Sequence, residues 1–397
     1  MYNKTLLPLI IFVCLMTSGC LSQEVKPTKT ATELEAKLQQ IFDESALPGL
    51  GVVAFDDSGI LFQMSFGESD LATQTPYSNE TVQTIGSTSK TFIAVALMIA
   101  QEQGKLDLQD PVNKYLPFKV QHPKFPDTPI TIEDLARHSS GIEDELIYPR
   151  AYVILDPDYN ANLLPTEVQE YFETFKLNEN MDLGSFLKNS LASGGKWYSE
   201  DNFGSKEPGK NYSYSNVGSA LAAFVLEQAT GMPFHEFTQK YIFDPLQMTQ
   251  SSWDLGNNQP KQFAARYLTN FNPIPSYKLI TYPDGGVITN SGDFGLFMTE
   301  MMKGARGQGT LLSEASYEEM FSRKVFGKES SGIFWEVSES GVFSHTGSDL
   351  GVLSLSAANP ERNAGAFLMT NIMAEDDEGM VESIREIWNT LKAHQWE

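Results

Sequence analysis

A chain of 397 residues with 41% hydrophobic and 20% charged residues holds enough apolar side chains for a sizeable core, which excludes a disordered polymer. Its formal net charge of -23, with no basic cluster to reverse it locally, excludes a surface built for phosphate backbones, so no nucleic-acid partner is expected. Both cysteines, Cys14 and Cys20, lie near the start, so the rest of the chain has no disulfide, thiol nucleophile or cysteine metal site.

In chain order, Lys4 precedes the apolar run from Leu6 to Met16, and Thr17, Ser18 and Gly19 lead to Cys20. That layout is a signal peptide, and the run is too short to span a bilayer as a stable helix. The expectation is a signal over 1-19, a tether over 20-32 and a hydrolytic domain over 33-395, in an exported, periplasmic protein. TSGC resembles the lipobox of bacterial lipoproteins, whose cysteine is lipidated and becomes the first mature residue. Thr17 stands where leucine is usual, so cleavage without lipidation stays open beside a membrane tether through Cys20.

TELEAKLQQIFDESA has helical spacing and ends before Pro48-Gly49, and LGVVAF and ILFQMSF flank Asp56-Asp57-Ser58-Gly59 as a hairpin. The apolar stretch from Lys90 to about Gln103 predicts a helix stopped by Gly104. TIEDLARHSS predicts another from Thr131, with Asp134 at the capping-box distance and an end at Gly141. Between Ile142 and about Asp284 the text is irregular, with helices at SALAAFVLEQAT and FHEFTQKYIF. The segment from Glu143 to Lys206 shapes the pocket on this reading and carries no readable chemistry. Strand character returns in FSHTGSDLG, GVLSLSAA and GAFLMTN, and a helical period runs from Glu375 to His394. The expected fold is α+β, an α/β sandwich: an antiparallel sheet from both chain ends, about 33-125 and 285-395, flanked by helices, with an inserted mainly helical lobe at about 126-284.

The histidines, His122, His138, His235, His345 and His394, are scattered. His235-Glu236 begins like a zinc-protease helix, but Gln239 stands where the second histidine belongs, so neither metal nor cofactor is expected. A serine is a poor nucleophile until a base within hydrogen-bond reach takes its proton. In GSTSKTF, Ser87 and Lys90 share a helix face at i and i+3. Ser185 and Lys188 have the same spacing, and capping alone selects serine before an apolar helix, so both readings stand on this stretch by itself.

Further on, Tyr214-Ser215-Asn216 stands directly before a helix, where a tyrosinate or a Tyr-Lys pair relays the serine proton and an asparagine amide holds a carbonyl. Tyr77-Ser78-Asn79 repeats the pattern in what reads as an ordinary turn. His345-Thr346-Gly347-Ser348 starts a candidate strand that offers a backbone amide, with glycine allowing close approach.

In this order the elements resemble the serine β-lactamase and penicillin-binding-protein superfamily, with its S-x-x-K and K-T-G signatures. Together with GKLDLQDPVNKYLP, LARHSSGI, PGKNYSYSNVG and GGVITNSGDFG, they look like the branch of class C β-lactamases, D-amino-acid peptidases and β-lactamase-like esterases. The resemblance implies that Ser87 is acylated, that Lys90 and Tyr214 transfer its proton, and that Asn216 positions the acyl side chain. It implies an oxyanion hole from the backbone amides of Ser87 and Ser348, with His345 and Thr346 beside Gly347 bordering the leaving group. His138 and Asp293 would be scaffold residues.

The departure is His345, where lysine is usual. A histidine of ordinary pKa is about a quarter charged at pH 7 and binds a substrate carboxylate weakly. The class A glutamate has no counterpart, because Glu173 is out of register, so deacylation rests on Tyr214 and Lys90; no G-x-S-x-G supports an α/β-hydrolase. The expected function is an exported serine hydrolase forming an acyl-enzyme with a small-molecule ester, peptide or β-lactam, most simply an esterase or peptidase. The alternatives are a β-lactamase or D-Ala-D-Ala carboxypeptidase, and a penicillin-binding receptor or pseudoenzyme that holds cell-wall fragments without turnover. Oligomeric state is not legible in the sequence.

Overall fold

The computed structural model describes residues 31-393 apart from 157, 257-259 and 376, so the signal, Cys20 and all of the expected tether but Ala31 and Thr32, which begin the first helix, lie outside the described residues. Helix α1 (Ala31–Glu44) buries Leu34, Leu38 and Ile41, one stripe at helical spacing. Strands β1 (Gly49–Phe55) and β2 (Ile60–Asp70) form the expected hairpin, with Phe55 opposite Ile60. A short edge strand, β3 (Thr75–Pro76), follows.

The other end of the chain supplies β4 (Glu336–Val337), β5 (Phe343–Asp349), β6 (Val352–Asn359) and β7 (Ala364–Thr370). Strand β1 pairs antiparallel with β7, Leu50 opposite Thr370 through to Phe55 opposite Gly365, giving the order β4-β5-β6-β7-β1-β2-β3. The sheet is thus built from both chain ends, as expected. β1 is buried at every position because it has a strand on each side and helices over both faces.

On the inner face lies α2 (Lys90–Glu102), apolar all round and buried from Lys90 to Ala100, as a helix in the middle of a core must be. Near it lie α3 (Ile132–Ala136), α4 (Asn216–Thr230) and α5 (Ser291–Ala305), and the Phe92 ring sits 4.2 Å from Phe297 of α5. α1 and α6 (Glu378–Ala393) cover the outer face over Leu50, Val52, Leu353 and Leu368.

Three expectations change. The capping box of Thr131 and Asp134 forms, but α3 ends at Ala136, because His138 already has a φ of 53°. FHEFTQKYIF is α-helical only over Phe234–Thr238 and continues as a π-helix over Gln239–Phe243. The stretch read as irregular contains two helices, Thr166–Phe175 and Leu183–Leu191, which bury Phe172 and Phe175, and Phe186 and Leu187.

Candidate active site

Ser87 sits in a single 3-10 turn, Gly86–Ser89, that runs straight into α2. No side chain caps this helix, so capping is not the task of these hydroxyls. The turn is fixed from the sheet instead: Ser354 Oγ donates to the Ile85 carbonyl at 2.8 Å and lies 2.8 Å from Thr88 Oγ1. Two glycines allow strand and turn to touch. A Cβ on Gly347 would collide with the Ile85 carbonyl, and one on Gly86, whose φ is 54°, would lie 2.9 Å from the Ser348 amide nitrogen. Backbone contact therefore brings the Ser348 amide to the turn that carries Ser87.

Lys90 opens α2, fully buried, and its Nζ donates to Ser87 Oγ at 3.0 Å, Asn216 Oδ1 at 2.7 Å and the Asp284 carbonyl at 2.6 Å. Burial pushes its ammonium down to about 8, against the pull of Asp284, Asp144 and Asp349. The Tyr214 ring lies 5.2 Å from Nζ, and Ser87 beside it works against the upward shift of its phenol. Burial holds the phenol well above its ordinary value, so Tyr214 is a protonated phenol at neutral pH.

Asn216 is presented by the start of α4, where Ser215 Oγ accepts the Gly218 amide at 2.9 Å. Asp144 completes that terminus, accepting the Ser215 hydroxyl at 2.7 Å and the amides of Asn216 and Val217 at 2.6 and 3.1 Å. His138 stacks on Tyr214 at 4.3 Å and accepts the Ser215 amide on Nδ1 at 3.2 Å, while Asp293 accepts the Gln250 amide and the Ser251 hydroxyl.

Along β5 burial alternates: Phe343, His345, Gly347 and Asp349 are buried, and Ser344, Thr346 and Ser348 are half-exposed. His345 and Gly347 therefore share the inner face, with Gly347 against Ile85 and Thr88, whereas the side chains of Thr346 and Ser348 take the opposite face of the strand. His345 Nδ1 lies 2.7 Å from the Thr346 carbonyl. A carbonyl only accepts, so Nδ1 carries the proton and Nε2 of the neutral ring is an acceptor. Burial and Lys90 push His345 down to about 3, which corrects the expected quarter charge at pH 7: the imidazole is neutral. Beside it a narrow cavity is bounded by His138, Tyr212, Tyr214 and Glu336, whose carboxyl is pushed up to about 7 by burial.

The structure thus gathers Ser87, Lys90, Tyr214, Asn216, His345, Gly347 and the Ser348 backbone. The look-alikes lie elsewhere: Ser185 Oγ donates to Asp182 at an exposed helix start, and the Tyr77 hydroxyl donates to buried Gln83. Sequence reasoning missed Asp144, Tyr148 and Asp284. The Tyr148 hydroxyl donates to the Asp284 carboxylate at 3.0 Å, and each comes from a segment with no local motif.

The family model described as Beta-lactamase matches residues 34–387. The D-alanyl-D-alanine-carboxypeptidase/endopeptidase AmpH of Escherichia coli is 24% identical over 389 residues, covering 93% of this chain and 91% of that protein. Penicillin-binding protein 4* of Bacillus subtilis is 28% identical over 200 residues, half of this chain, and the match spans only 37% of that relative's length. The crystal structure of a penicillin binding protein from Bacillus halodurans shares the fold with a TM-score of 0.64 at 22% identity, over 89% of this chain and 98% of that one.

Proposed function

The chain belongs to the Beta-lactamase family, and from that premise we propose that it is a serine hydrolase forming an acyl-enzyme on Ser87 with an ester or short peptide amide. The observation that carries this reading is the 3.0 Å contact of a fully buried Lys90 Nζ with Ser87 Oγ. Ser87 Oγ attacks the substrate carbonyl carbon while its proton passes to neutral Lys90, and the oxyanion accepts from the amides of Ser87 and Ser348. Collapse breaks the bond to the leaving group, which takes the proton back through the Tyr214 phenol. Water then attacks the acyl carbon, returns a proton along the same pair, and releases Ser87 Oγ. The Asn216 carbonyl is occupied by Lys90, which leaves its NH2 to hold the acyl side of the substrate.

Substrate class follows from His345. A neutral ring with an acceptor Nε2 offers no cation to a carboxylate, and Glu336 beside it adds partial negative charge. This favours neutral esters and internal amides over β-lactams. A second reading, action on D-alanyl peptides, is favoured by the near full-length likeness to the Escherichia coli protein, and the endopeptidase half of that name needs no terminal carboxylate. Export and a lipid on Cys20 complete the proposal; the mass of the mature N-terminus distinguishes the lipidated from the merely cleaved chain.

The test is a fluorophosphonate probe on the full mature chain. Labelling maps to Ser87, is lost in Ser87→Ala and persists in Ser185→Ala, and folded wild type without label at Ser87 refutes the reading. On a panel of p-nitrophenyl esters, D- and L-aminoacyl amides, D-Ala-D-Ala peptides and nitrocefin, turnover separates a hydrolase from a receptor that only binds.

A further inference from the structure

We propose that Asp284 is a positioning residue whose buried carboxylate is the counter-charge that sets the proton affinity of Lys90; this rests on the reading of Lys90 as the base for Ser87. Asp284 ends the 3-10 turn Tyr282–Asp284, and its own carbonyl accepts Lys90 Nζ at 2.6 Å. Carboxyl and ammonium are thereby tied through one residue. Its side chain is fully buried: Oδ1 accepts the Tyr148 hydroxyl, the Thr281 hydroxyl beside it also favours the charged form, and burial pushes the carboxyl up to about 7, so it carries its charge over the pH range in which Lys90 titrates. Once ionised, a carboxylate so poorly solvated projects its charge onto the nearby Lys90 ammonium.

The groups facing Lys90 show why this acid stands apart. His138 comes from the end of α3, Asp144 from the loop beyond it, Tyr214 and Asn216 from the start of α4, and His345 and Asp349 from β5. Asp144 is engaged by one hydroxyl and two amides at the α4 terminus. Asp349 accepts the Tyr152 hydroxyl and the Leu350 amide. The two imidazoles are held neutral by burial. Asp284 has two hydroxyls, of Tyr148 and Thr281, and no backbone amide, and of the three acids it pulls hardest on Lys90.

The sign follows. Lys90 must be neutral to take the Ser87 proton, and an anion nearby keeps it protonated to higher pH. Removing the charge of Asp284 therefore moves the acid limb of acylation to lower pH. The same occurs, more weakly, when the Tyr148 hydrogen bond is removed and the carboxyl holds its proton longer.

The experiment is the rate of fluorophosphonate labelling against pH, on the full mature chain, which needs no knowledge of the natural substrate. The wild-type limb is expected near pH 8, where Lys90 titrates. Asp284→Asn moves it down by up to about one pH unit, and because Asp284 carries its charge only above about pH 7 the change is read at pH 7.5, where the rate relative to its plateau rises up to about threefold. An activity lowered evenly at every pH, with the limb unmoved in a folded variant, overturns the proposal. If Asp284→Asn fails to fold, Tyr148→Phe decides: a limb shifted to lower pH supports it, and an unmoved or raised limb overturns it. Wild type without label at Ser87 overturns the serine reading and this one with it, whereas labelling with an unmoved limb overturns only the role of Asp284.

Discussion

Acid should destabilise this fold through His345, and the size of the effect can be worked out. The imidazole titrates near 6.5 in an unfolded chain and is pushed down to about 3 in the folded one by burial and by Lys90. As pH falls below 6.5 the unfolded state takes up a proton that the folded state refuses, so stability falls with pH until both forms are charged below about 3. Between pH 6.5 and 4.5 the loss is about 2 kcal/mol at roughly 1.36 kcal/mol per pKa unit. Many carboxylates titrate over the same range, so the measurement is a difference. Urea unfolding of wild type and His345→Asn is compared at both pH values, and the variant, whose amide can still donate to the Thr346 carbonyl, should lose about 2 kcal/mol less. Equal losses in the two proteins would show that His345 is not held neutral by the fold, and would restore the histidine of ordinary pKa, about a quarter charged at pH 7, expected from the sequence.

Two other outcomes follow from the same geometry. Gly347→Ala places a methyl against the Ile85 carbonyl and the Thr88 amide, so it should cost about 1–3 kcal/mol in urea unfolding and lower acylation of Ser87 about 100-fold, through displacement of strand from turn. The kcat/KM ratio of carboxylate-bearing to neutral esters should fall severalfold, about fivefold, as pH rises through about 7, because Glu336 gains charge there. Glu336→Gln should flatten that dependence and His345→Asn should leave it; the reverse pattern would assign it to the histidine.

What could be read from the sequence is what proximity along the chain encodes. The β1-β2 hairpin, the apolar α2, the helix at Tyr214-Ser215-Asn216 and the i, i+3 pair of Ser87 and Lys90 are local patterns, and each forms. Spacing alone could not separate Ser87 from Ser185, because the difference is environmental: one hydroxyl faces a buried ammonium, and the other donates to Asp182, the cap of a helix, at an exposed position. The charge state of His345 was illegible for the same reason, since an ordinary pKa presumes solvent. Asp144, Tyr148 and Asp284 read as loop residues, and only the tertiary fold converts them into buried groups around Lys90. They lie 54, 58 and 194 residues from it, beyond any window in which side-chain type predicts contact. A nucleophile and its base can share one helical turn and so leave a motif, whereas the charges that tune the base need only converge in space. The acids around Lys90 are therefore the part of this site where a structure adds most to a sequence.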